Sequence, residues 1–430
     1  MSDIGSIPTI TKFKKVLFSL RSEMKMLFTL GELHLSDFLK KGEAPPPIAE
    51  LKLVLDEDLG AVRLEKPAPK HLMYGKYWYR SGINTTMVNE LKSIVESIKS
   101  VMKLSPGDVW LDIACNDGTL FKFIPEGIIK LGIDPADDSF LAESKLQANE
   151  VIQDYFSKKT YQKSKHGNNK AKIVTSIAMF YDLDEPDPFV RDIYDVLDDE
   201  GLWVMQLSYT PLMLKQMAFD NICHEHTYYY SLFSIKKLLE RNGFRIVDCQ
   251  LNDVNGGSFR VYIRKKIADE KRFSTAPNRD VCEFRVNSIL AYEKTLALDK
   301  PETWLDFFHR IEELKKQTVE FIKKEKKKGK VIWGYGASTK GNTLLQYFGL
   351  DNKLIDGIAE RSHYKFGLST AGTNIPIYSE EEMRKRKPDY LLVLPWHFIN
   401  EFIHREKDYL ESGGKFIVPC PRFEIIGKKK

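Results

Sequence analysis

Residues 109–118 read Val-Trp-Leu-Asp-Ile-Ala-Cys-Asn-Asp-Gly, and Gly132-Ile133-Asp134 follows about one helix later. No other stretch constrains the fold of this chain as much. An apolar strand ends in Asp112 and turns at a loop that closes on Gly118. A second short strand then ends in Asp134. A glycine lets backbone approach a ligand with no Cβ in the way. An acid at the end of the second strand can bond a ribose diol. Asp112 and Asp134, with one loop between them, describe a cradle for an adenosine-bearing cofactor. The third glycine of the dinucleotide pattern GxGxxG is missing, which argues against a dinucleotide. A loop with little pyrophosphate-binding character suits S-adenosylmethionine, which carries a sulfonium and no phosphate.

Strands and helices alternate around this loop. Apolar runs at 109–113, 129–133, 173–178 and 202–207 read as buried strands, and 243–249 and 258–264 as two more. Such runs belong to a parallel α/β sheet with both faces covered. Residues 87–102 have helical spacing, with Val88, Leu91, Ile94, Val95, Ile98 and Val101 on one side. Residues 1–75 are short, mixed segments broken by Pro45-Pro46-Pro47, Pro67 and Pro69, and predict a small irregular domain. A charged helical connector is expected over 266–330. From 331 a second α/β unit begins. Val331-Ile332-Trp333 runs into Gly334-Tyr335-Gly336-Ala337-Ser338-Thr339-Lys340-Gly341, a helix follows, and the next strand ends in Glu360. Later strands are expected at 390–395 and 415–419. The divisions are therefore 1–75, 76–265, 266–330 and 331–430.

At 430 residues two or three domains are expected. The net charge of +5 is mild, so charge does not suggest nucleic acid as a partner. The basic clusters at 323–330 and 427–430 read as a solvated helix end and a tail. None of the five cysteines forms a CxxC pair, which argues against a disulfide framework and fits a reducing, cytoplasmic setting. No apolar run approaches membrane-spanning length, and the first residues lack the apolar core of a signal peptide.

Several segments together resemble the three-domain nucleotide-sugar C-methyltransferases of deoxysugar and O-antigen pathways. They are Tyr77-Trp78-Tyr79-Arg80-Ser81-Gly82, the 111–120 loop, Phe180-Tyr181-Asp182-Leu183, Ile222-Cys223-His224-Glu225-His226, Asn255-Gly256-Gly257-Ser258 and the 334–345 segment. Pro376, Pro388-Asp389-Tyr390 and Leu394-Pro395-Trp396 continue the match. The resemblance implies a small zinc domain, then a class I methyltransferase sheet, mostly parallel with its last strand antiparallel, then a Rossmann-like domain. Two departures stand out. Asp56 and Leu59 occupy the place of a CxxCG motif, and Phe13 and Val16 that of the first cysteine pair. Without thiolates a tetrahedral zinc site cannot be built there, so no metal is expected. Packing of Phe13, Val16, Leu27 and Leu59 is expected to replace it. Cys223 stands where the best-known members carry a tyrosine implicated at the reactive centre.

For the cofactor, Asp134 is placed on the ribose hydroxyls. Asp112, Ala114, Asn116, Asp117 and Gly118 face the methionine end, Asp154 the adenine, and Ser176 and Ile177 the pocket wall. Turn capping by Asp112 and Asn116 is the competing reading. C-methylation needs a base and donors for a developing enolate oxygen, and histidine titrates in the right range. The resemblance makes His226 the base and has Glu225 orient it or bond a sugar hydroxyl, with His224 a weaker candidate. A metal pair, a helix cap or surface residues remain alternatives for this tripeptide. Tyr77 and Tyr79 are expected to reach over the sugar or to pack between domains. Asn255 and Gly256 line the sugar pocket or form a tight turn. In the second glycine loop, Gly336, Ser338, Lys340 and Asn342 are expected to contact the diphosphate or sugar; a ligand-free relic is the alternative. The expected partner is a nucleotide sugar, with no nucleic acid and no membrane. An O- or N-methyltransferase on another small molecule, or a non-catalytic nucleotide-binding protein, are the rival functions.

Overall fold

The computed structural model describes residues 25–74, 78–268 and 279–428. The first strands are β1 (Lys25–His34), β2 (Phe38–Leu39), β3 (Ile48–Asp56) and β4 (Ala61–Leu64). This region is regular where irregular segments were expected. β1, β3 and β4 form an antiparallel sheet that buries Leu27, Phe28, Leu30, Leu51, Leu53, Leu55 and Val62. Its pattern was obscured by Gly31, at φ +83° beside a register shift between Thr29 and Glu32, which breaks the period of two. The prolines at 45–47 lie before β3, outside the ladder.

The turn after β3 is closed by hydrogen bonds. Asp56 Oδ1 accepts from the Leu59 N–H at 3.0 Å, and its carbonyl accepts from Gly60 at 2.8 Å. Leu27 and Leu59 are both buried, but in different cores. Leu27 packs with the N-terminal and third-sheet residues, and Leu59 packs with the central sheet. Phe13 and Val16 lie outside the described residues.

The central sheet contains β5 (Val109–Ile113), β6 (Ile129–Ile133), β7 (Glu150–Ile152), β8 (Ala171–Ile177) and β9 (Leu197–Ser208). After β10 (Tyr228–Tyr229), β11 (Phe244–Asn252) and β12 (Ser258–Lys265) complete it. Its order is β11-β12-β9-β8-β5-β6-β7, parallel from β9 to β7, with β12 antiparallel to both its neighbours. The last strand in sequence is thus the antiparallel one, as expected. β5 is buried along its length because both sheet faces are covered. The helix Thr85–Val101 covers one face through Leu91, Ile94, Val95 and Ile98. β9 begins five residues before its apolar run, at an acidic stretch. Buried Arg264 and Lys265 of β12 pair with Glu200 (2.6 Å) and Asp199 (2.8 Å) of that stretch. Buried cations need such partners.

The expected connector divides between two cores. The helix Arg279–Thr295 packs on β11. Its buried Glu293 accepts from the Leu232 and Phe233 N–H groups (2.6 and 2.8 Å), at the start of the helix Leu232–Arg241. The helix Pro301–Lys327 instead sets Trp304, Phe307, Ile311, Leu314 and Ile322 into the core shared by β1 and the third sheet.

That third sheet comprises β13 (Ile332–Tyr335), β14 (Gly357–Glu360), β16 (Ile377–Ser379), β17 (Tyr390–Val393), β18 (Lys415–Val418) and β19 (Glu424–Ile426), in the order β16-β14-β13-β17-β18-β19. All but β19 are parallel. The N-terminal strands are tied to both α/β units. β4 pairs with β10, and β2 pairs with β15 (Ser369–Thr370). Among the described residues no helix is long and apolar enough to cross a membrane.

Candidate functional site

β5 and β6 pair in register from Val109 with Ile129 to Ile113 with Ile133. Asp112 therefore lies opposite Gly132, and Asp134 emerges just past the end of β6. The loop after β5 holds Ala114 and Asn116 at φ +59° and +53°, in the left-handed region that costs a side-chain-bearing residue energy. Its turn opens a cavity of about 270 Å³. Asp112, Ala114, Asn116, Asp134, Ile177, Tyr79 and Asn255 line that cavity.

Both aspartates are buried. Asp134 accepts from the Asn116 N–H (2.7 Å) and the Ala136 N–H (2.8 Å), one on each oxygen. A carboxylate has about four acceptor positions, so each oxygen keeps one for a hydroxyl. Asp112 accepts from Thr175 Oγ1 at 2.6 Å. Burial pushes its pKa up to about 7; the Thr175 bond opposes this and the Asp134 charge adds to it. Two buried carboxylates in a largely apolar cavity suit a ligand that combines a diol with positive charge. S-adenosylmethionine combines them, so the residues fit the cofactor.

Other expected cofactor residues take different places. The Asp117 carboxylate accepts from the Gly82 and Thr119 N–H groups at 2.7 and 3.1 Å and holds the preceding segment. A Cβ on Gly118 would come 2.7 Å from Ser144 Cα, so this glycine serves the approach of the helix Asp138–Ser144. Ser176 is buried and accepts from Trp203 Nε1 at 2.9 Å. Asp154 turns out to Lys163 at 3.1 Å. Its neighbours Tyr155 and Phe156 line the cavity instead. That adjacent aromatic pair just beyond β7 was the available signal for a cavity wall, and it was missed. Asp182, which follows β8, also lines the cavity.

The His-Glu-His segment lies between the short turn Phe219–Asn221 and β10. His226 is buried against the Tyr181 ring, with centroids 4.2 Å apart. Burial, and next the Lys340 charge, hold its pKa well below the ordinary histidine value, while a bond to the Asn221 backbone opposes them. It is therefore a neutral imidazole at physiological pH. Burial pushes Glu225 up to about 7, against Lys340, Thr339 and Cys223. Cys223 is fully buried, its sulfur 3.9 Å from Glu225 Oε2. His224 turns away from this group; its Nε2 lies 2.9 Å from the Ala49 carbonyl on β3. It anchors the segment to the N-terminal sheet. Asn255, at φ +55°, lines the cavity, and a Cβ on Gly256 would lie 3.5 Å from Ala218 and 3.9 Å from Trp396. Tyr77 lies outside the described residues.

The second glycine loop is closed on itself. The Ala337 N–H donates to Glu360 Oε2 at 2.7 Å, and Lys365 Nζ donates to the Ala337 carbonyl at 2.7 Å. Ser338 caps the helix Thr339–Phe348 by accepting from the Gly341 N–H at 2.9 Å. Asn342 Nδ2 donates to the Asp37 carbonyl at 3.0 Å. Gly336, at φ +84°, would place a Cβ 2.6 Å from Pro395. Ser338 and Asn342 thus have partners within the chain. Of these loop residues Lys340 reaches toward the His-Glu-His region, donating to Asn221 Oδ1 at 2.5 Å. Among the described residues no group of three or more His, Cys, Asp or Glu could hold a metal ion.

Residues 88–248 match the family model "Methyltransferase domain", and residues 253–421 match "C-methyltransferase C-terminal domain". The C-methyltransferase NovU of Streptomyces niveus is 30% identical over 356 residues, covering 83% of this chain and 82% of that one. Among solved structures, the magnesium protoporphyrin IX methyltransferase (ChlM) of Synechocystis PCC 6803 is 16% identical, covering 45% of this chain and 91% of that one, with a TM-score of 0.34. A methyltransferase of Clostridium acetobutylicum ATCC 824 is 12% identical, covering 41% of this chain and 92% of that one, with a TM-score of 0.33. On the strength of the curated relative and the two family models, the chain belongs to the C-methyltransferase family and is an S-adenosylmethionine-dependent methyltransferase.

Proposed function

We propose that the protein methylates a carbon next to the ketone of a nucleotide-linked keto-sugar in the cytoplasm. When bound, S-adenosylmethionine supplies an electrophilic methyl group. Asp134 holds the ribose diol, and Asp112 faces the positively charged end. His226 takes the proton beside the ketone, and the enolate carbon so formed would receive the methyl group that the cofactor would give up as its S–CH3 bond breaks. Glu225 orients the segment that carries the base. Tyr79 and Asn255 face the acceptor from the cavity wall, with Tyr77 expected beside them. Lys340 brings a charge to the His-Glu-His segment.

One observation carries the reading. His226 is buried, a bond to the Asn221 backbone acts on its ring, and that ring lies against Tyr181, next in sequence to the cavity-lining Asp182. A neutral imidazole with one nitrogen bonded keeps a lone pair on the other. The test is His226→Ala. Cofactor affinity, measured by calorimetry, is expected to stay while turnover on a panel of nucleotide keto-sugars falls roughly 10²- to 10⁴-fold. Full activity would end the assignment of the base. The wild-type protein should also wash solvent deuterium into the ketone-adjacent carbon without cofactor; methyl transfer without such exchange would favour an oxygen or nitrogen acceptor.

A further inference from the structure

The two glycine loops of the chain have opposite surroundings, and one lysine connects the second of them to the reacting segment. Lys340 is the second residue of the ten-residue helix Thr339–Phe348. Its Nζ donates to Asn221 Oδ1 at 2.5 Å, and the backbone of the same asparagine bonds His226. Thr339, the first residue of that helix, hydrogen-bonds Glu225. The Glu225 carboxylate thereby lies at the positive end of a helix that follows a glycine loop, where a phosphate would otherwise be favoured. The rest of the loop is filled from within by Glu360 and Lys365. Ser36 Oγ also donates to the Thr339 carbonyl at 2.9 Å.

We infer that the second glycine loop is a dock for the His-Glu-His segment, and that Lys340 is the positioning residue that fixes the His226–Glu225 pair. The inference rests on the reading of His226 as the base. Five titratable groups feel the Lys340 charge: Asp220, Cys223, Glu225 and His226 of the central unit, and His397 of the third. His397 is driven down to about 3 by burial and next by Lys340. Among the described residues Lys340 is the cation that acts on these groups, so removal of its charge lets both His226 and Glu225 hold their protons to higher pH.

The experiment uses the full chain labelled with [¹³C]histidine, free of substrate, titrated by NMR with His226→Gln to assign the signal. In Lys340→Met the His226 midpoint is expected to rise by about one pH unit, and Lys340→Arg should restore it. The acid limb of kcat/KM should move in the same direction. A folded Lys340→Met protein with an unchanged His226 midpoint overturns the inference. So does a defect confined to KM, which a lysine that only gripped a diphosphate would give. If Lys340→Met fails to bind S-adenosylmethionine, Lys340→Gln keeps a donor toward Asn221 without the charge and gives the same readout. The titration needs no sugar, so failure of the keto-sugar reading would appear as absent methyl transfer by the wild type and leave this test intact.

Discussion

The loops at 114–118 and 334–341 share one logic of strand, glycine turn, helix, strand and acid, yet their backbone donors meet different ends. In the first loop the acid of the second strand, Asp134, keeps acceptor capacity toward an open cavity. In the second, Glu360 accepts from the Ala337, Arg361 and Ser362 N–H groups and Lys365 closes the loop. The difference teaches that a glycine loop binds a ligand only where its donors and acid are not already satisfied by the chain.

The sharpest way to break this comparison is to neutralise each acid. Asp134→Asn should weaken S-adenosylmethionine binding roughly 10- to 100-fold by calorimetry, the loss of charge-assisted hydrogen bonds of about 1.5–3 kcal/mol. Glu360→Gln should leave cofactor affinity within about twofold, since separate sites act independently. It should lower unfolding free energy in urea by about 1–3 kcal/mol, because the amide turns a donor toward buried N–H groups. Equal losses of cofactor affinity in both variants would collapse the distinction.

A second test uses pH. Burial pushes the Asp112 carboxyl up to about 7 in the cofactor-free protein, well above the ordinary aspartate range. A carboxyl raised in the folded state binds its proton more tightly there than in the unfolded chain. Its contribution to stability is therefore full below pH 4 and is lost as pH rises toward 7. A cationic ligand favours the ionised form, so binding expels the proton. Affinity for S-adenosylmethionine should climb between about pH 5 and 7, by at most about tenfold per unit, and level off above. Asp112→Asn should flatten that profile. The smallest effect is expected at Asp154. Its pair with Lys163 is half exposed, so Asp154→Ala should cost less than about 1 kcal/mol and leave cofactor binding unchanged.

β5 and β6 were legible to the residue, because continuous apolar runs bounded by turns admit few other readings. Asp134 was legible for the same reason: it is the first polar residue beyond a buried strand. The reading failed where a residue's role depends on which way it turns in a loop. Asp154 and Tyr155 are adjacent, yet the aromatic one lines the cavity and the acid pairs outside. Gly118 was read as room for a ligand and proves to be room for Ser144. The acidic start of β9 was hidden because its partners, Arg264 and Lys265, come more than sixty residues later. Lys340 was singled out for a diphosphate, but its bond to Asn221 spans 119 residues and no local pattern announces it.

The reacting segment is held from two distant parts of the chain, His224 by Ala49 at a separation of 175 residues and Asn221 by Lys340 at 119. Contacts this far apart carry a loop-closure cost and form late. A chain made from its N-terminus can complete the central sheet once β12 has emerged, yet Lys340 is still 75 residues away. During synthesis the cavity around Asp112 and Asp134 can therefore assemble well before His226 is set in place by Lys340. On the proposed reading, translation separates the capacity to hold the donor from the capacity to use it.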